Sequence, residues 1–84
     1  MAIYMRLDKF LKVSRIIKRR TVANEACDAG RVMVNGNIAR ASYAVKTGDI
    51  IEISMGSKNV KIRVKEINEH ATKDNAALMY ENAT

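Results

Sequence analysis

RLDKFLKVSRIIKRR, residues Arg6 to Arg20, decides how the rest of this 84-residue chain is read. Arg6, Lys9, Lys12, Arg15, Lys18, Arg19 and Arg20 stand there against one acid, Asp8, a local balance of +6. The whole chain is also +6, so the remaining eight Lys/Arg and eight Asp/Glu cancel. An excess confined to one short block presents a localised positive surface, and its natural partner is a polyanion, nucleic acid first. The basics recur at threes, with almost no acid placed for stabilising i,i+4 pairs. A solvated helix face is the plainer alternative. Against it, seven cations held together repel one another, and an anionic partner relieves that repulsion.

The same stretch sets the first structural period. At about 100° per residue, Leu7, Phe10 and Leu11 fall on one side of a short helix over Asp8 to Val13, with Arg6, Lys9 and Lys12 on the adjacent side. Val13 is the exception, landing near the basic stripe. Ser14 to Arg19 lacks a clean period and reads as a connecting loop. A second helix is expected from about Arg20 to Ala29. Its apolar face is Val22, Ala23, Ala26, Cys27 and Ala29, opposite Thr21, Asn24, Glu25 and Asp28, and Gly30 stands where a left-handed cap is expected. Arg20 sits at the seam of the two faces, free to point into solvent.

Beyond Gly30 the period changes from helical to alternating. Arg31 to Val34 reads as a strand, Asn35-Gly36 as a hairpin turn, and Asn37 to Arg40 as the returning strand. Gly48-Asp49 marks another turn. Ile50 to Ser54 and Val60 to Ile67 then flank a loop, Met55 to Asn59, and the last strand is expected at a sheet edge with Lys61, Arg63 and Lys65 outward. Asp74 to Asn82 is expected as a short helix on Ala76, Ala77, Met79 and Tyr80.

Composition narrows the functions. A chain of this length makes one domain and buries only about 60–65% of its unfolded surface. Its 48% hydrophobic content nevertheless argues for a folded globule. Proline is absent and no linker or repeat divides the chain. Cys27 is the single cysteine and His70 the single histidine, so neither a disulfide nor a closed zinc site can form within it. MAIYMRLDKF becomes charged before a signal-peptide stretch can develop, and no apolar run approaches the ~20 residues that span a bilayer. A reducing cytoplasm is the expected location.

No catalytic roles can be filled. Cys27 falls on the apolar face of a helix and reads as a core residue. His70 reads as a loop residue after the last strand. Asp49 and Glu52 diverge along a strand, and a turn cap is the better job for Asp49. No glycine-rich phosphate loop is present, no metal or cofactor is implied, and the chain is expected not to be an enzyme. Aromatics make up only 5% and form no stacking platform, with Phe10 read as core. That favours reading of RNA backbone and shape, with affinity falling steeply as salt rises.

Four blocks, taken in order, carry a resemblance. Arg6-Leu7-Asp8-Lys9-Phe10-Leu11, the helix from Arg20 to Ala29 with Gly30, Val32-Met33-Val34-Asn35-Gly36, and Val45-Lys46-Thr47-Gly48-Asp49-Ile50 resemble the S4 RNA-binding domain, whose pattern runs RLDxxL, amphipathic helix with Gly, VxVNG and GDxI. The resemblance covers about residues 5 to 54. It implies an α+β, S4-like (αL) fold, with two short N-terminal helices packed on a small antiparallel sheet. The domain is expected over residues 1–70, with a C-terminal tail over 71–84. It also implies that structured RNA binds the two-helix face, through Arg6, Lys9, Lys12, Arg15, Lys18, Arg19 and Arg20. Asp8 suits the first helix N-terminus, leaving Arg6 free. One departure is Arg19, where many S4 domains place a small hydroxyl residue that caps the second helix.

Lys18-Arg19-Arg20-Thr21 and the tail Ala76-Ala77-Leu78-Met79-Tyr80 are similar to a subfamily of free-standing S4 proteins of bacterial ribosome quality control, related to the ribosome-associated heat-shock S4 protein. That likeness implies a protein that is monomeric off the ribosome and touches no membrane. It would bind 23S rRNA and peptidyl-tRNA on a dissociated large subunit, while the quality-control elongation factor RqcH adds an alanine tail to the stalled chain. A general S4 factor binding rRNA or tRNA in assembly or translation is the alternative in the same class. An S4 module preceding an RNA-modifying domain, or a basic adaptor for an acidic protein, are alternatives from other classes. A modifying domain of that kind is not expected here, since no catalytic constellation is present.

Overall fold

Leu7, Phe10 and Leu11 are wholly buried, and their spacing makes α1, Leu7–Val13. The computed structural model describes residues 4–69 and 72–83 of the chain; His70 lies outside them. Before α1 runs a two-residue strand, β1 (Met5–Arg6), paired antiparallel with β4 (Ala44–Val45). Arg6 is the N-cap of α1 but offers the helix no side-chain hydrogen bond. The free N–H groups of the first turn are satisfied by the chain crossing beside it. Leu7 N–H donates to the Tyr43 carbonyl at 2.8 Å and Asp8 N–H to the Ala41 carbonyl at 3.1 Å.

The connection 14–19 is a loop, as its lack of period implies, but it is anchored. Ser14 and Ile17 are buried, Arg15 takes a left-handed φ of 64°, and Ile17 N–H reaches back to the Leu11 carbonyl at 3.0 Å. α2 spans Arg20–Asp28. It ends in a Schellman motif: Gly30 N–H donates to the Cys27 carbonyl and Arg31 N–H to the Ala26 carbonyl, each at 3.0 Å. The φ of Gly30, 73°, is the left-handed conformation that this cap requires. The buried face is narrower than the apolar periodicity suggests. Ala23 and Cys27 are buried, Ala26 is half-buried, and Val22 and Ala29 are exposed. Only one side of α2 meets the core, and Asn24, on the polar side by pattern, turns inward to α1.

The rest is a five-stranded sheet of order β3-β2-β5-β6-β7, antiparallel throughout its pairings. Its strands are β2 (Val32–Val34), β3 (Asn37–Ile38), β5 (Ile50–Met55), β6 (Lys58–Val64) and β7 (Tyr80–Asn82). Asn35 and Gly36, with φ of 54° and 87°, form the primed turn between β2 and β3. Val32, Val34, Ile51, Ile53, Ile62 and Val64 turn one face into the core shared with Phe10, Leu11, Ala23 and Cys27. Asp49 ties the turns together. Its buried carboxylate accepts from Asn35 Nδ2 at 3.1 Å, Tyr43 Oη at 3.2 Å and Lys46 N–H at 3.1 Å, the capping work its turn position suggests.

Three expectations fail. Met55 to Asn59 is not a loop, because pairing continues to Met55 opposite Lys58 and leaves Gly56 and Ser57 as a tight turn with Gly56 at φ 61°. β6 ends at Val64 and is not an edge, since β7 lies beyond it. The tail is not a helix over Asp74 to Asn82. It makes one 3₁₀ turn, Ala76–Met79, and then β7, with Met79 fully buried and its carbonyl accepting from Lys65 and Glu66 N–H at 2.8 and 3.2 Å. Burial of Met79 and pairing with β6 outweigh the helix propensity of the Ala-Ala-Leu-Met run.

Candidate nucleic-acid interface

Asp8 organises the first half of the basic block. Its side chain is only 3% exposed. Arg6 Nε reaches Oδ1 at 3.2 Å and Arg6 Nη2 reaches Oδ2 at 3.3 Å; Arg20 Nε reaches Oδ2 at 3.3 Å. Asn24 Nδ2 donates to Oδ2 at 3.3 Å and Lys9 N–H to Oδ1 at 2.8 Å. One carboxylate under the surface thus holds two guanidiniums, from residues 6 and 20, side by side with about half of each side chain in solvent. Burial pushes the Asp8 carboxyl up, but the hydrogen bonds from Arg6, Asn24, Arg20 and Lys9 N–H outweigh it and hold the group below its ordinary value. Arg6 is therefore not free, contrary to the expectation from sequence, and Arg20 does not simply point into solvent.

The second half of the block forms a groove. Lys12, Arg15 and Lys18 line it together with Val13 and Glu69, around a volume of about 620 Å³. The left-handed Arg15 and the anchored loop after α1 bring these three cations together although they are spread over the sequence. Roughly 9 Å of helix rise separates Arg6 from Lys12, so the two clusters sit at opposite ends of α1. Lys9, between them, is half-buried and pairs with Glu69 at 3.4 Å. Arg19 is exposed at the N-cap of α2 and makes no cap hydrogen bond, the loss implied where a hydroxyl residue is missing.

All seven predicted cations thus lie on or beside the two helices. Sequence reasoning misses three further residues. The helical period places Asn24 on the outer face, no local pattern marks Glu69, and Arg40 reads from sequence only as the end of the returning strand. In the fold Arg40 lines a second hollow with Arg6. Cys27 is a buried free cysteine: burial first, then the charges of Asp8 and Asp28, push its thiol up to about 11. Among the described residues no group of His, Cys, Asp or Glu has metal-ligand geometry, and no helix is long and apolar enough to cross a membrane.

Two short helices presenting cations over a small antiparallel sheet define a nucleic-acid-binding module of a particular kind. Residues 5–51 match the S4 domain family, and the chain belongs to it. It is 52% identical over 77 residues to a protein of Halalkalibacterium halodurans named RQC P-site tRNA stabilizing factor, covering 92% of this chain and 88% of that one. The Bacillus subtilis protein of the same name is 54% identical over 76 residues, covering 90% and 88%. Among solved structures, trimeric Heat Shock Protein 15 of Vibrio cholerae superposes with a TM-score of 0.89 at 28% identity, covering 96% of this chain and 83% of that one.

Proposed function

We propose that this protein stabilises peptidyl-tRNA in the P-site position of dissociated large ribosomal subunits, binding 23S rRNA and the tRNA together through its two-helix face. RqcH would then extend the stalled chain with alanine. The protein itself would catalyse nothing and act by holding RNA in place in the cytoplasm. Residues 1–70 would carry the RNA-binding unit and 71–84 the tail. The names of the relatives at about half identity support this reading.

The observation that carries it is the paired guanidiniums of Arg6 and Arg20, fixed on buried Asp8 at one end of α1, with the Lys12–Arg15–Lys18 groove at the other. Guanidiniums suit bidentate phosphate contacts. Preorganisation by Asp8 lowers the entropy lost when phosphates bind. Two acids, Asp8 and Glu69, offset little of the seven cations' charge.

Pelleting of purified components tests the proposal. Large subunits carrying peptidyl-tRNA should bring down the wild-type protein better than empty large subunits. Arg20→Ala should weaken that binding and flatten its log–log salt dependence by roughly 0.7–0.9 for each phosphate that Arg20 neutralises. Equal pelleting by empty and tRNA-bearing subunits would leave a general S4 RNA binder, and unchanged binding by Arg20→Ala would remove the assigned face.

A further inference from the structure

Between α2 and the segment that joins β3 to β4 lies a hollow of about 520 Å³. Its polar lining residues are Arg6, Asn24, Asp28, Arg40 and Ser42. Cys27, Ala39 and Ala41, all three buried, also line it. The joining segment is held firmly, because the Ala41 and Tyr43 carbonyls accept the first N–H groups of α1 and Ala39 N–H donates to the Val32 carbonyl at 3.0 Å. The hollow also opens onto Arg6, so it is continuous with the paired guanidiniums.

A site for phosphate alone would need neither apolar lining residues nor a carboxylate, which repels phosphate. A nucleotide accounts for all three features at once. Arg6 and Arg40 suit its phosphate, the neutral thiol and alanine methyls suit the face of its base, and Asp28 suits an amino group on its edge. We infer that the hollow is a subsite for one unpaired nucleotide of the bound RNA, whose base carries an exocyclic amine. Cytosine, adenine and guanine each offer such an amine to a carboxylate, and uracil's exocyclic groups are acceptors only. The hollow thereby gives a cationic face that reads shape a single point of base discrimination. This inference rests on the RNA-binding reading proposed above.

The test is fluorescence anisotropy of the full 84-residue chain with RNA hairpins bearing one bulged cytidine, adenosine or uridine. A good polar contact to a base edge corresponds to about tenfold discrimination, so the cytidine and adenosine hairpins should bind about that much more tightly than the uridine one. Asp28→Asn, whose side-chain amide both donates and accepts, should bring the three within about twofold. Arg40→Ala should weaken all three, and circular dichroism would verify that both variants fold. Equal binding of all three hairpins by the wild type, or a preference that survives Asp28→Asn, would overturn the inference. Pelleting with tRNA-bearing large subunits, run on the same samples, separates the two readings. Intact pelleting without bulge preference removes the hollow alone, and bulge preference without pelleting removes the ribosomal role alone.

Discussion

Asp8 and Arg6 are two positions apart in the chain, and their pairing decides what either substitution would do. Sequence alone suggests that Arg6→Ala weakens RNA binding and leaves stability nearly untouched. The buried Asp8 carboxylate changes that expectation, because losing Arg6 removes both hydrogen bonds that its guanidinium makes to the group. With half of the Arg6 side chain in solvent, the destabilisation is expected at about 1 kcal/mol, measurable by urea unfolding. Arg6→Lys should recover part of it but not the two-pronged geometry. The same carboxylate shapes the acid limb of stability. Its folded pKa lies below the unfolded one, so its contribution is complete above about pH 4 and lost as pH falls through the lower folded value. Unfolding midpoints across the acid range up to neutrality should therefore fall less steeply on the acid side in Asp8→Asn, which would be less stable at neutral pH. The local role of Asp8 at a helix start was legible in RLDKFL. That it also grips Arg20 and Asn24 was not, since no local period relates those positions.

The helices and the β2–β3 hairpin are elements whose neighbours in sequence are also neighbours in space. Leu7, Phe10 and Leu11 mark α1, Gly30 marks the end of α2, and Asn35-Gly36 marks the turn, so all three could be read directly. The tail could not. Ala76-Ala77-Leu78-Met79 favours a helix locally, and only pairing with Ile62–Val64 makes Tyr80–Asn82 a strand. The tight turn at Gly56-Ser57 is hidden for a related reason: the polar residues around it obscure a pairing that β5 imposes on β6. Met79 is the residue through which the tail joins the core. Met79→Ala should cost about 2–4 kcal/mol by leaving a cavity under β6 and β7. Exchange protection of the amides that bond to the Met79 carbonyl, Lys65 and Glu66, should fall with it. Unchanged unfolding in that variant would mean that the tail contributes little to the fold.

Across the whole molecule, charge and architecture divide the labour. The sheet and its apolar face make a stable base, with Asp49 locking the turns, and the positive excess is confined to the two helices and the loop between them. The seven cations of the candidate face were all legible from their density in one block. Their arrangement into a guanidinium pair and a separate groove was not, because it depends on the left-handed Arg15 and on Asp8 joining two helices. Glu69 and Arg40 were invisible for the same reason: each reaches the basic face through tertiary folding. The most direct test of the central claim is sucrose-gradient sedimentation of the tagged protein from cells with stalled translation, with tRNA probed in each fraction. The protein is predicted to migrate with free large subunits that carry peptidyl-tRNA, and Arg20→Ala to leave those fractions. Migration with assembly precursors, or with no ribosomal particle, would contradict it.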